Sequence, residues 1–114
     1  MDRDAIRAAC LALPHVTMDH PFGPHNDAYR IGGKMFVIVG ETGGVSFKVS
    51  DIAYAVLTED GRALPAPYLA RAKWVNLPDP AAWPQDELIE HFAIARRLIG
   101  AKLTRKMRDA LALD

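Results

Sequence analysis

The chain has 114 residues, of which 50% are hydrophobic and 25% are charged, and its formal net charge at pH 7 is zero. That length suits a single core, so we expect one domain over residues 1–114. The zero net charge excludes a domain-wide basic field for nucleic acid. Because no apolar run reaches membrane-spanning length, we expect no membrane partner.

The first predicted element is a helix from about Asp2 to Leu13. Asp2 can cap it, and Pro14 ends it because the residue before a proline avoids helical backbone angles. Residues 14–26 are rich in Pro, His, Asp and Gly and are expected to form a loop. The buried stripe of the helix is predicted to hold Ile6, Ala9, Cys10 and Leu13.

Three strand-like runs follow the loop. The first ends at Ile31, the second covers residues 35–39 and the third covers residues 45–49. Gly32 and Gly33 can take the positive φ angles of a two-residue hairpin turn between the first two runs. The unbroken apolar second run is typical of a central strand covered on both sides. Together the runs predict an antiparallel meander.

The second half of the chain alternates helices with one more strand. We expect a short helix from Ser50 or Asp51 to about Thr58, an extended loop over 62–71 and a fourth strand over 73–77. A long helix begins near Pro84, and a basic helix over 104–111 closes the chain. The predicted fold is therefore α+β, with an antiparallel sheet of about four strands packed against N-terminal and C-terminal helices.

The long helix carries acidic residues in its first turns and arginines near its end, which suits the helix dipole. Its predicted buried stripe is Leu88, Phe92, Ala95 and Ile99. His91 lies beside that stripe, four residues after Glu87. Half-buried packing or an ion pair explains His91 more simply than acid–base chemistry, which would need a second polar group in a cleft.

Four residues with ligand chemistry lie near one another around the 14–26 loop: Asp19, His20, His25 and Asp27. A metal site needs converging ligands, but this spacing matches no zinc or calcium pattern. Asp and His also stabilise loops by bonding nearby backbone groups, so we expect no metal and no cofactor here. Nucleophile motifs are missing as well, and Gly32-Gly33-Lys34 lacks the spacing of a phosphate loop, so we expect no enzyme.

The N-terminal segment and the single cysteine indicate a compartment. The chain begins with Asp2, Arg3 and Asp4, and Pro14 interrupts its first apolar stretch, unlike a signal peptide. Cys10 has no partner for an internal disulfide and reads as a small core residue. We therefore expect a cytoplasmic protein.

The charges are unevenly distributed along the chain. Residues 1–95 carry eight Lys/Arg and twelve Asp/Glu, a balance of −4, whereas residues 96–114 carry six and two, a balance of +4. Such a basic segment can bind phosphates, although a solvated helix face with favourable dipole charges would look the same. The candidate phosphate contacts are Lys34, Arg71, Lys73, Arg96, Arg97, Lys102, Arg105, Lys106 and Arg108.

Short motifs are spread along nearly the whole chain. They are Leu13-Pro14, Asp19, Pro21-Phe22-Gly23, Tyr29, Ile31, Gly33 to Phe36, Phe47-Lys48, Pro65-Ala66, Tyr68, Lys73-Trp74, Leu98-Ile99 and Leu103. In their order and spacing these motifs resemble the MmcQ/YjbR-like proteins, small bacterial proteins described as DNA-binding with a "double wing" fold. The family often has Ser-Tyr before the Leu-Val pair of its last long helix, and here Ala95-Arg96 stand in those positions.

The resemblance implies DNA as the partner, and it brings no catalytic motif with it. Two other hypotheses stay open. The domain could present Tyr68, Trp74 or Trp83 to a protein, a second copy of itself or a small ligand, because exposed aromatics favour such contacts. An enzyme would require a pocket that joins His20 or His25 to Asp19 or Asp27.

Overall fold

The computed structural model describes residues 1–113. Six antiparallel strands form one sheet in the order β1-β2-β3-β4-β6-β5. Single 3₁₀ turns occupy Ala70–Ala72 and Pro80–Ala82. The elements in chain order are α1 Arg3–Leu11, β1 Val16–Asp19, β2 Asp27–Ile31, β3 Lys34–Val39, β4 Val45–Lys48, α2 Asp51–Glu59, β5 Leu64–Pro65, β6 Trp74–Leu77, α3 Gln85–Gly100 and α4 Arg105–Ala110.

The α+β architecture and the central meander confirm the prediction, but the sheet has six strands where about four were expected. Both additional strands lie in segments predicted to be loops. β1 is hidden in the sequence because Pro14 and Pro21 flank it closely, yet it pairs along its whole length with β2. β5 is only two residues long and includes a proline, which is tolerated because β5 is an edge strand.

Helix α1 ends two residues earlier than predicted, at Leu11. The side chain of Asp2 caps it by accepting a hydrogen bond from the amide of Ala5 at 2.8 Å. Ile6 and Cys10 are fully buried, whereas Ala9 is only half-buried. Burial raises the pKa of the Cys10 thiol to about 12, so Cys10 is an unreactive core residue.

The β2–β3 hairpin is closed by the two predicted glycines. Gly32 has φ +57° and Gly33 has φ +83°, the left-handed pair that a tight hairpin requires. The register shifts by one residue between Tyr29 and Arg30, which leaves Phe36 as an extra residue on β3. The side chain of Phe36 is fully buried in the core.

The core lies between α3 and the central strands. The predicted stripe of α3 is buried, and Phe92 meets Phe47 of β4 edge-to-face with ring centroids 5.8 Å apart. The other face of the sheet is less completely covered than the apolar run predicted. There Ile38 is half-buried, and Asn76 donates a hydrogen bond to the hydroxyl of Ser46 at 2.9 Å.

Strand direction gives the sheet two chemically different ends. At the end that holds the β2–β3 hairpin, called here the hairpin end, Lys34 begins β3 and Lys48 is paired with Trp74. At the opposite end Asp27 is paired with Val39. Leu103, just after α3, packs against Gly32, so the C-terminus of α3 reaches the hairpin end.

His91 packs inside an aromatic cluster, as its position beside the stripe suggested. Its ring centroid lies 5.6 Å from that of Phe47 and 5.4 Å from that of Trp83, and its Nδ1 is buried without a partner among residues 1–113. Burial lowers the pKa of His91; Glu87 and Glu90 oppose the shift, and Arg62 adds to it. The neutral imidazole is therefore the form that the fold accommodates.

The turn geometry predicts different costs for two adjacent glycine substitutions. Gly33→Ala should destabilise the fold by about 1 kcal/mol, since only its left-handed φ is disfavoured. Gly32→Ala should cost roughly 2 kcal/mol, because its Cβ would also lie 2.6 Å from Cδ1 of Leu103. Urea unfolding of both variants measures the difference. Equal losses would show that Leu103 moves aside without cost.

The aromatic cluster predicts acid-sensitive stability. The pKa of His91 is lowered in the fold, so the free energy of unfolding should fall as pH drops below about 6.5, where the unfolded chain takes up a proton more readily. His91→Phe keeps a ring in the cluster and should flatten this slope by at most about 1.4 kcal/mol per pH unit. Urea unfolding between neutral and mildly acidic pH tests this, and an unchanged slope would assign the acid sensitivity to other groups.

Candidate nucleic-acid interface

Half of the eight cations in the first 95 residues are paired with carboxylates or buried. Arg3 pairs with Asp27 at 2.8 Å. Two further pairs join the strands and helices: Arg30 with Asp19 at 2.8 Å, and Arg62 with Glu87 at 2.9 Å. These arginines therefore serve structural contacts and add little free positive charge to the surface.

Lys48 is buried, with a relative exposure of 7%. Its ammonium group donates a hydrogen bond to the carbonyl of Ala72. Burial lowers the pKa of Lys48, and the neighbouring cations Lys102 and Lys73 lower it further while Asp51 opposes them. Lys48 therefore cannot contact a ligand, but it ties the loop before β6 to the hairpin end.

The six cations after residue 95 have no ion-pair partner among residues 1–113. Arg97, Lys102, Arg105 and Lys106 are exposed, and Arg96 and Arg108 are half-buried. Thr104 caps α4 by accepting a hydrogen bond from the amide of Met107 at 3.2 Å, which fixes the orientation of the short basic helix.

Arg96 differs from the other five cations because it also holds two helices together. Its Nε donates a hydrogen bond to the carbonyl of Pro14 at 2.9 Å, between the end of α3 and the segment after α1. Burial lowers the pKa of Arg96, although a guanidinium stays charged in proteins. Arg96 is therefore partly a structural residue.

Packing brings the hairpin and α4 together. The side chains of Leu103 and Met107 lie against Gly32, where an added Cβ would be 2.6 Å from Cδ1 of Leu103 and 3.2 Å from Cε of Met107. Lys34 begins β3 two residues later and is exposed. Lys34 therefore lies beside the basic helix, although seventy residues separate it from Thr104 in the chain.

The remaining two candidates, Arg71 and Lys73, precede β6 at the same end of the sheet. Lys73 has φ +62°, and its ammonium lies 4.9 Å above the ring of Tyr54. Arg71 is exposed on the 3₁₀ turn. The fold thus gathers the cations at the hairpin end into what we call the cationic end: Lys34, Arg71, Lys73, Arg97, Lys102, Arg105, Lys106 and Arg108.

The loop residues considered for metal binding are divided among separate contacts. His20 Nδ1 lies 2.9 Å from the carbonyl of Asn26 and 3.3 Å from the buried carboxylate of Asp27. Asp19 pairs instead with Arg30, and His25 contributes its backbone carbonyl to Arg3. No group of three metal-ligating side chains converges within residues 1–113.

His20 and Asp27 nevertheless meet in a polar cleft of about 520 Å³ beside Arg3 and Arg7. Both neighbours of His20 Nδ1 are acceptors, so this nitrogen is placed to donate a hydrogen bond to them. Sequence reasoning did not foresee the part of Arg3, which bridges Asp27 and two backbone carbonyls. The one sequence signal for this role is that an arginine side chain has several hydrogen-bond donors and can therefore bridge several acceptors.

Two of the three aromatic residues considered for partner binding lie in the core. Trp74 is 4% exposed, Trp83 is 6% exposed, and the indole of Trp83 donates to the carbonyl of Arg62 at 3.0 Å. Neither can be an exposed anchor, because Trp74 is a buried residue of β6 and Trp83 packs against Phe47 of β4. Tyr68 is fully exposed and has a left-handed φ of +66°.

Comparison with known proteins relates most of the chain to one family. The YjbR family model matches residues 11–98. The uncharacterized protein YbdF of Escherichia coli O157:H7 is 30% identical over an alignment 107 positions long that covers 87% of this chain and 82% of YbdF.

The fold also matches a solved structure. The crystal structure of Deinococcus radiodurans protein DR2400, a DUF419 domain, superposes with a TM-score of 0.85 at 23% identity, covering 97% of this chain and 88% of DR2400. Within the described part of the chain, no helix combines the length and apolar character needed to cross a membrane.

Because the family model matches most of its length, this chain belongs to the YjbR family.

Proposed function

We propose that this protein binds duplex DNA through phosphate contacts made by the cationic end together with Arg96. The observation that supports this is the division of charge described above. Three of the eight cations in residues 1–95 are paired with carboxylates and Lys48 is buried, whereas the cations of residues 96–113 have no carboxylate partner in the described chain. Unpaired Lys and Arg at one end of a small domain suit a phosphate backbone.

The arrangement supports contact with two parts of a duplex. Arg105 and Lys106 project from α4, while Lys34 stands at the hairpin beside it, in the position of a wing. The acidic first turn of α3 lies at the other end of that helix. Such a bipolar domain would approach DNA with its cationic end first, even though its net charge is zero.

The proposal includes no base-specific readout and no catalytic step. Phosphate contacts carry no sequence information, so we expect binding to many duplexes with modest affinity. A cytoplasmic location is part of the same proposal, supported by the buried thiol of Cys10.

Salt dependence tests this function. Fluorescence anisotropy of a short labelled duplex should show affinity that falls steeply between about 50 and 200 mM salt. Arg105→Gln should reduce the slope of log affinity against log salt by about one, and adding Lys106→Gln by about two. Arg105 is chosen over Arg96 because the contact of Arg96 with Pro14 makes its loss ambiguous.

Arg7→Gln is the matched control, because Arg7 is also exposed on a helix but lines the polar cleft. Its salt slope should equal that of the wild type. Absence of binding at low salt, or equal slopes for Arg105→Gln and the wild type, would contradict the proposal.

A second candidate function is a protein-interaction module, and the exposure of Tyr68 favours it. A fully exposed tyrosine held in a left-handed backbone conformation has no stabilising role in the fold. Ile52 and Val56, one turn apart on α2, are also exposed, at 79% and 49%. Tyr68 would insert into a partner, which in the simplest case is a second copy of the chain.

Sedimentation equilibrium tests this alternative in its simplest form. A dimer that dissociates at least about tenfold more readily in Tyr68→Ala would support it, because interface tyrosines commonly contribute more than 1 kcal/mol. Tyr68→Ala should leave the salt slope of DNA binding unchanged. A wild-type protein that remains monomeric at high concentration would contradict the self-association form.

A further inference from the structure

A groove of about 480 Å³ lies between the end of α1, the second half of α3 and residues 111–113. Its volume falls within the range of small-molecule sites, about 300–1,000 Å³. It is distinct from the polar cleft, which lies at the N-terminal end of α1. We call it the α1–α3 groove.

The wall of the α1–α3 groove is aliphatic and shaped by small residues. Leu13, Leu111 and Leu113 line it and are only half-buried, so their apolar surface is open to an occupant. Gly100 lets the C-terminal segment approach α3, because a Cβ there would lie 3.3 Å from Cδ1 of Leu113. Ala93 keeps space free between the helices.

All titratable side chains in the described lining are basic: His15, Arg96 and Arg97. None of them forms an ion pair within residues 1–113. The Nε of Arg96 is held by Pro14, which leaves its terminal nitrogens without a hydrogen-bond partner among the described residues. Arg97 is exposed. The groove therefore combines an apolar wall with guanidinium groups that have no carboxylate partner among residues 1–113.

We propose that the α1–α3 groove binds small amphiphilic carboxylates, with the hydrocarbon body on the leucines and the carboxylate on Arg96 and Arg97. A guanidinium fork matches the two oxygens of a carboxylate. An inorganic anion would leave the leucine wall uncovered, and a neutral apolar molecule would leave the guanidinium groups without an acceptor. An amphiphilic carboxylate satisfies both halves of the lining, and its binding does not depend on DNA binding.

Calorimetric titration of the whole protein with octanoate, octanol and acetate tests the chemistry without DNA. Octanoate should bind at least about tenfold more tightly than octanol, since hydrogen bonds to charged groups contribute about 1.5–3 kcal/mol. Acetate should bind much more weakly than octanoate, because it lacks the hydrocarbon body. Equal affinity for octanoate and octanol, or no octanoate binding at millimolar concentration, would overturn the proposal.

Three variants test the location. Arg97→Gln should weaken octanoate binding by about tenfold, while Arg7→Gln, an equally exposed helical arginine outside the groove, should bind as the wild type does. Ala93→Met should abolish binding by filling the space between the helices. Urea unfolding confirms that each variant is folded. Wild-type affinity in either Arg97→Gln or Ala93→Met, or equal weakening by Arg7→Gln, would overturn the assignment.

Discussion

The arrangement of this domain depends on the burial of one face of α3 against the central strands. Leu88, Phe92 and Ile99 are buried there, and each such side chain contributes about 1.5–3 kcal/mol when it leaves water. Together they supply a free energy comparable with the net stability of a small domain, about 5–15 kcal/mol. Because α3 is acidic at its start and basic at its end, docking it in one direction also orients the charges.

That orientation connects the core with the proposed function. The same helix that closes the core carries its basic end to the hairpin end, where Leu103 and Met107 pack on Gly32. Arg105 and Lys106 are exposed, and the packing of their apolar neighbours Leu103 and Met107 on Gly32 determines where they lie. Arg96 has both a structural and a proposed binding role. Its hydrogen bond to Pro14 connects α3 with the segment after α1, and its guanidinium group also lines the α1–α3 groove.

The sites that sequence reasoning described least well are those made by contacts between distant segments. The polar cleft needs Arg3 from α1 to reach Asp27 and the carbonyl of Gly40. Charge spacing predicted a basic end, but only packing brings Lys34 beside α4 and removes Lys48 from the surface. Aromatic composition suggested Trp74 and Trp83 as contact residues, whereas hydrophobic burial places both in the core.

Elements whose signals are local can be predicted from the amino-acid sequence. The Gly32-Gly33 hairpin, the capped first helix, the meander and the buried stripe of α3 all follow from backbone preference and periodicity, and the structure contains each of them. Other features arise only from contacts between distant segments: β1 and β5 as strands, the burial of Lys48, the pairing of His20 with Asp27, and the α1–α3 groove. Short strands and clefts depend on partners far along the chain, and a local sequence pattern carries no information about which partners will meet.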